Sequence, residues 1–364
     1  MPGLAKLEVT NFKSIRHAEL ELRPLNVVIG PNGAGKSNLI GVFRLLGQVL
    51  EERFQEYVAQ QGGAARLLHH GPKRSPFIAV RFTFARNGYS LSFSPNVADE
   101  LFFGVERVHF RGDYVSDGGR TIGTGHREAK LPEAARQSPQ GIPGHVMDGV
   151  HNWIVYHFHD TSETSPPKLQ QQIDDNRSLR SDAGNLAAFL YRLQLRHPEQ
   201  FARITAAVRR IAPFFAEFRL APLANKPTHI KIEWRHVGSD AYFDGASLSD
   251  GTLRFICLAT LLLQPAELQP SLILLDEPEL GLHPAALKLL VEMLRSTAQR
   301  TQIVAATQSV TLLDDLAPEE VIVAEQSEGE TTFRRLEEVK LRDWLEDYTI
   351  GELWMKNVLG GRPK

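Results

Sequence analysis

The 364-residue sequence has a single cysteine, Cys257, which excludes an internal disulfide and a cysteine-rich zinc site. That scarcity fits a reducing compartment, and the apolar neighbours of Cys257 point to a buried, inert thiol. Long hydrophobic runs are also missing. The longest uncharged apolar stretch, Phe255 to Leu263, falls far short of the roughly 20 residues that cross a bilayer. The N-terminus lacks the basic-then-apolar order of a signal peptide, so the expectation is a cytoplasmic protein with no membrane partner. Charge of one sign is absent too: Lys and Arg total 41 against 43 for Asp and Glu, a net charge of −2. A nucleic acid or other polyanion would therefore have to use a local patch. No internal repeat and no long heptad stretch is visible.

What is present is a series of short apolar strands. "AKLEVTNF", "HAELELR" and "LNVVIG" read as three strands, followed by a glycine-rich turn and a helix from about Lys36 to Glu52 that gathers Leu39, Val42, Phe43, Leu46, Val49 and Leu50 on one face. "FIAVRFTFAR", "YSLSFSP" and "ELFFGVERVHF" suggest an antiparallel meander. The polar, Gly- and Pro-rich stretch from Gly118 to Asp148 reads as a mobile surface loop. "WIVYHFH" returns as a strand, and two helices follow, divided at Pro198. "HIKIEWRH" and "AYFDG" read as a hairpin. The last third alternates helix and apolar strand, with helices at about 250–263 and 284–300 and strands at 272–275, 302–306 and 321–325. This predicts an α/β fold with a parallel core sheet, an antiparallel β meander and an inserted helical lobe. The expected organisation is 1–117 and 241–364 as the two halves of one head, with 118–240 inserted.

Two motifs carry chemistry. Gly30-Pro31-Asn32-Gly33-Ala34-Gly35-Lys36-Ser37-Asn38 matches G-x-x-x-x-G-K-[ST] between a strand and a helix. The glycines let backbone N–H groups and the helix N-terminus converge on phosphates. Lys36 supplies a point charge near the β and γ phosphates, and Ser37 a hydroxyl for magnesium. The second motif is "SLILLDEPELGLHP", in which an apolar strand ends in Asp276 and Glu277 at the edge where ligands sit in open α/β sheets. Asp276 suits magnesium through its water shell, and Glu277 suits a general base. A P-loop NTPase using ATP and Mg2+ is the expectation.

"LSDGT", Leu248 to Thr252, lies some way before these acids and resembles the signature loop of ABC-type ATPases. The order of phosphate loop, signature, "LLDEPE" and polar strand end is similar to that superfamily. "LEVTNFKSI" and "DEPELGLHP" resemble its RecF, SMC and OLD branch, and the ending "LEDYTIGELWMKNVLGGRP" resembles the small stand-alone ATPases of that branch. The resemblance implies an ABC-type head in which Ser249, Gly251 and Thr252 cap a nucleotide bound by Lys36 of a second copy, so a homodimer with shared ATP sites is implied. It further implies that Lys13 reaches the nucleotide, although a solvated turn lysine reads equally well. It also implies that Gln308 in "ATQSV" stands where relatives carry a γ-phosphate-sensing histidine. Asp160 and Thr161 stand where relatives place a glutamine. His283 reads as a turn residue.

The implied function is a nucleotide-dependent homodimer switch in DNA repair or phage defence, working with DNA or with a separate effector or nuclease protein. The stretch after Gln308 is too short for the nuclease domain of OLD-type relatives. The alternative is an ATPase subunit energising a membrane transporter, against which the RecF-like motifs and the lack of glutamine after "LSDG" both weigh. Arg192, Arg196, Arg203 and Arg210 would share a face only if one helix ran through Pro198, so DNA binding rests on the family resemblance.

Overall fold

The computed structural model describes residues 3–111 and 119–360. The chain starts with β1 (Leu4–Phe12), β2 (Ile15–Glu21) and β3 (Leu25–Ile29), then α1 (Lys36–Leu50), α2 (Phe54–Gln60) and α3 (Ala64–Leu67). The meander follows as β4 (Ile78–Phe84), β5 (Asn87–Pro95), β6 (Leu101–Phe110) and β7 (Arg120–Gly123). Next come α4 (Leu131–Gln137), α5 (Ile142–Val150), β8 (Trp153–Tyr156), β9 (Gln171–Gln172), α6 (Leu186–Arg196) and α7 (Pro198–Ile211). Short strands β10 (Phe215–Arg219), β11 (His229–Ile230), β12 (Glu233–His236) and β13 (Tyr242–Asp244) lead to α8 (Asp250–Leu263). The remainder is β14 (Leu272–Asp276), α9 (Pro284–Ala298), β15 (Gln302–Thr307), α10 (Val310–Leu313), β16 (Val321–Ser327), β17 (Glu330–Arg335), α11 (Glu338–Leu345) and α12 (Ile350–Met355).

Among the described residues, the two largest sheets have six strands each. One is antiparallel, in the order β2-β1-β4-β5-β6-β7. The other runs β17-β16-β3-β15-β14-β8, parallel except for the hairpin partner β17. Alternation along the parallel strands sorts their side chains into two cores. Val28, Leu274, Val304 and Ile322 join α1 and the antiparallel sheet in one core, while Val27, Ile273, Ile303 and Val323 join α6, α7, α8 and α9 in the other. Helix α1 therefore lies between two sheets, which is why Ile40, Gly41 and Leu45 are buried in addition to its expected apolar face. Cys257 is buried, and burial pushes its thiol up to about 12.

The expectation of a mobile loop at 118–148 is corrected from Arg120 onward; Gly118 lies outside the described residues. The segment holds β7, α4 and most of α5. Pro132 and Pro143 occupy first turns, where a missing N–H costs nothing. Leu131, Val146 and Val150 are buried. Buried Glu106 accepts from the backbone N–H groups of Lys130 (2.9 Å) and Leu131 (3.0 Å), satisfying free donors at the start of α4. The 118–240 segment also contributes β8 to the edge of the core sheet. In the expected hairpin only β12 and β13 pair, while β11 pairs with β9.

Candidate functional site

The strands β3, β15 and β14 are adjacent and parallel, and their carboxyl ends gather the sequence motifs on one edge. Gly30 to Gly35 bridge β3 and α1, Gln308 follows β15, and Asp276 and Glu277 end β14. The register is level: Ile29 stands opposite Thr307, and Asp276 opposite Ala306.

The loop before α1 curls through Gly33 (φ 82°) and Gly35 (φ 93°), left-handed conformations that favour glycine. At Gly35 a side chain would collide with Thr331 and approach Ser14 Oγ to 2.9 Å. Ser14 in turn lies 2.6 Å from Thr331 Oγ1 and accepts from Asn38 Nδ2 at 2.6 Å. The turn between β1 and β2, the start of β17 and the start of α1 thus clamp the loop from outside. Lys36 is buried and donates to the carbonyls of Gly30 (2.7 Å) and Pro31 (3.0 Å). Burial lowers its pKa, while Glu277, Glu279 and Asp276 act to raise it. Ser37 is exposed at the loop mouth. A buried ammonium under the electrostatic influence of three carboxylates, the start of a helix and an exposed hydroxyl form a donor set that fits a nucleotide phosphate with a divalent cation.

Asp276 is nearly buried, and Arg44 on α1 donates to its Oδ2 at 3.2 Å. Glu277 takes a left-handed conformation (φ 46°), uncommon outside glycine, and its N–H donates to Ala306 O at 2.8 Å. That bond to the neighbouring strand holds the glutamate at the sheet edge. Glu279 Oε1 accepts from the backbone N–H of Gln308 at 2.9 Å, which ties the loop after β14 to the end of β15. The Gln308 residue itself is exposed. His283 caps α9, its Nδ1 accepting from Ala285 N at 3.2 Å.

Ser249 caps α8, accepting from Thr252 N at 3.3 Å, with its Oγ 2.8 Å from Thr252 Oγ1. Gly251 packs against Gly281 O so closely that a Cβ would not fit. The sequence reading overlooked Arg254, three residues further along α8. Its guanidinium donates to the carbonyls of Phe158 (2.8 Å), His159 (3.1 Å) and Leu280, and burial lowers its pKa. One side chain therefore joins the LSDGT helix to the loop after β14 and the segment after β8. No short motif announces it; the only signal is a charge inside an otherwise apolar helix.

Lys13 (φ 51°) donates its ammonium to Gln61 Oε1 at 3.0 Å, and burial, with Arg44 as a second cause, lowers its pKa. Asp160 accepts from Ser162 within its own turn. His159 is the residue there that reaches the acid pair, its Nε2 2.7 Å from Asp276 O. The four arginines divide between α6 and α7, and Arg192 and Arg210 are engaged with Asn176 O and Glu292 respectively.

The family model described as AAA domain, putative AbiEii toxin, Type IV TA system matches residues 25–314. No curated protein matches the chain. Among solved structures, it is similar to a Smc head bound to the C-winged helix domain of ScpA, with 16% identity, a TM-score of 0.63, and coverage of 94% of this chain and 100% of that one. It is also similar to the Smc head domain with an extended coiled coil bound to the C-terminal domain of ScpA from Pyrococcus furiosus, with 15% identity, a TM-score of 0.61, and coverage of 95% and 99%. The fold is that of an SMC-type ATPase head, in accord with the resemblance to the RecF, SMC and OLD branch.

Proposed function

Because the chain belongs to the AAA domain family whose description names a putative AbiEii toxin and a type IV TA system, we propose that it is a magnesium-dependent ATPase working as a homodimer switch. The observation that carries this reading is the convergence of the phosphate loop, Gln308 and the Asp276–Glu277 pair at the ends of three adjacent parallel strands. Backbone N–H groups from Gly33 to Ser37 and the Lys36 ammonium bind and orient the phosphates of ATP. When bound, the cation neutralises phosphate charge; Ser37 and Asp276 would hold it. Glu277 accepts a proton from the attacking water, and the Gln308 amide orients that water or donates to a γ-phosphate oxygen.

The signature of one copy completes the site of the other. Ser249 and the glycine-exposed backbone at the start of α8 supply an anion-binding helix terminus, and Arg254 connects that terminus to the loop bearing Glu277 of its own chain. The family description supports a defence setting. The cellular partner is DNA or a separate effector protein, in phage defence or DNA repair. Among the described residues no helix is long and apolar enough to cross a membrane.

ATP hydrolysis by wild type and Lys36→Ala, each with and without duplex and single-stranded DNA, tests the reading. Activity abolished by Lys36→Ala supports it, and activity unaffected by that change removes it. DNA is removed as a partner by an unchanged rate together with no binding at low salt.

A further inference from the structure

A groove of about 690 Å³ lies beside the last turns of α6, and Arg177, Tyr191, Arg192, Leu195 and Arg196 are among the residues that line it. Positions 192 and 196 are one helical turn apart and share a face. Among the described residues no carboxylate lines the groove. The acids nearest to it are already engaged: Asp175 pairs with Arg180 at 3.3 Å, and Glu267 lies 3.7 Å from the groove residue His197. Arg177 and Arg196 are exposed, and neither guanidinium has a hydrogen bond or an ion pair among the described residues. Arg192 is half-buried and donates to the carbonyls of Asn176 (2.9 Å) and Arg177 (2.8 Å), both from Nη1. Those two bonds fix the side chain without neutralising it, and its Nε and Nη2 have no partner among the described residues. The carbonyl end of α6 offers roughly half a negative charge, which falls far short of three guanidinium groups.

Three unneutralised guanidinium groups around one groove call for a compact ligand with more than one negative charge. A terminal phosphate carries about two charges, whereas a carboxylate or a phosphodiester carries one. Its oxygens also match the planar fork of arginine, which grips them in pairs. The remaining lining is of another kind. Tyr191 is half-buried against the core shared by α6, α7, α8 and α9, its hydroxyl has no partner among the described residues, and Leu195 is 61% exposed. A ring packed on the core beside an exposed leucine suits the flat face of a base. The volume falls within the range of small-molecule sites, roughly 300–1,000 Å³.

We propose that the α6 groove binds a free nucleotide bearing a terminal phosphate, with Arg177, Arg192 and Arg196 on the phosphate and Tyr191 against the base. None of the lining residues belongs to the phosphate loop or to the Asp276–Glu277 pair, so this is a second site, and its assignment does not depend on the ATPase reading.

The probe is adenosine 3′,5′-bisphosphate, titrated calorimetrically into the full chain, with inorganic pyrophosphate and a single-stranded oligonucleotide lacking terminal phosphates as the comparison ligands. Arg177→Ala and Arg196→Ala remove no hydrogen bond or ion pair of the folded chain, and each should weaken bisphosphate binding about tenfold, the scale of one charge-assisted hydrogen bond. Tyr191→Leu should weaken the bisphosphate and leave pyrophosphate unchanged, whereas Lys36→Ala should alter neither. The proposal is overturned if the bisphosphate does not bind, or if its binding is lost in Lys36→Ala and kept in both arginine variants, which would put it at the phosphate loop. Tighter, arginine-dependent binding of the oligonucleotide overturns the free nucleotide, and an unchanged affinity in Tyr191→Leu overturns the base contact. A chain that hydrolyses no ATP yet shows the arginine-dependent binding would reject the ATPase reading and keep the groove.

Discussion

Gly251, in the first turn of α8, packs directly on the main-chain carbonyl of Gly281, which leaves no room for a side chain at 251. Since 281 follows the acid pair by only a few residues, the LSDGT loop and the loop carrying Glu277 must move as one body. A methyl group at 251 would push them apart. Gly251→Ala should lower the rate of ATP hydrolysis roughly a hundredfold, the scale of losing an aligned donor to developing charge. Nucleotide affinity, measured separately by equilibrium binding, should stay near the wild-type value.

Glu277 is held at the strand edge by its N–H bond to Ala306 O, independent of its carboxylate. Glu277→Gln therefore keeps the geometry and removes the base. Hydrolysis should fall on the order of a hundredfold or more, and ATP with magnesium should accumulate a dimer visible by light scattering. A monomer under those conditions would reject the shared site.

Lys36 is buried with a lowered pKa caused first by desolvation. The sign follows: the protonated form is disfavoured by folding, the penalty is present throughout neutral pH, and it fades only as pH rises toward the ordinary lysine value. Lys36→Met should thus leave the melting temperature of the nucleotide-free protein unchanged or raised. The added stabilisation produced by ATP should disappear, and thermal melts with and without ATP read both effects.

Arg254 donates to the carbonyls of Phe158, His159 and Leu280 from within α8. Arg254→Leu keeps the apolar bulk but strands those acceptors. It should cost about 2 kcal/mol in urea unfolding and lower hydrolysis more than it lowers nucleotide binding. Arg254→Lys can satisfy only part of the set and should fall between the two.

Gln308 is fixed through its backbone N–H, which donates to Glu279 Oε1 and leaves its side chain exposed at the end of β15. An amide does not titrate, so the rate profile should contain no imidazole transition from this position. Gln308→His should add one near pH 6.5, seen as the difference between the two pH–rate curves. Identical kinetics in Gln308→Ala and Gln308→His would reduce the residue to a strand-end cap.

The parts of the site that were legible in the sequence are contiguous in it. The loop Gly30–Ser37 and the pair Asp276–Glu277 each sit at the end of an apolar strand, so period and punctuation alone place them. The strand and helix limits of the last third were readable for the same reason, since α8, β14 and β15 are bounded by turn residues. The 118–148 stretch misled because its composition is that of a loop, while α4 depends on the distant Glu106 for a cap and both short helices bury side chains in the core of the antiparallel sheet.

By itself the sequence determined a P-loop ATPase chemistry and an alternating α/β core, because backbone curl, strand ends and apolar period are local properties. Only the tertiary structure decided that Thr331 and Ser14 clamp Gly35, that Arg44 engages Asp276, that Arg254 ties α8 to two other segments, and that β8 stands at the edge of the core sheet. Those relationships join residues far apart along the chain, and they exist only once the sheets have packed on α1 and brought them within hydrogen-bonding distance.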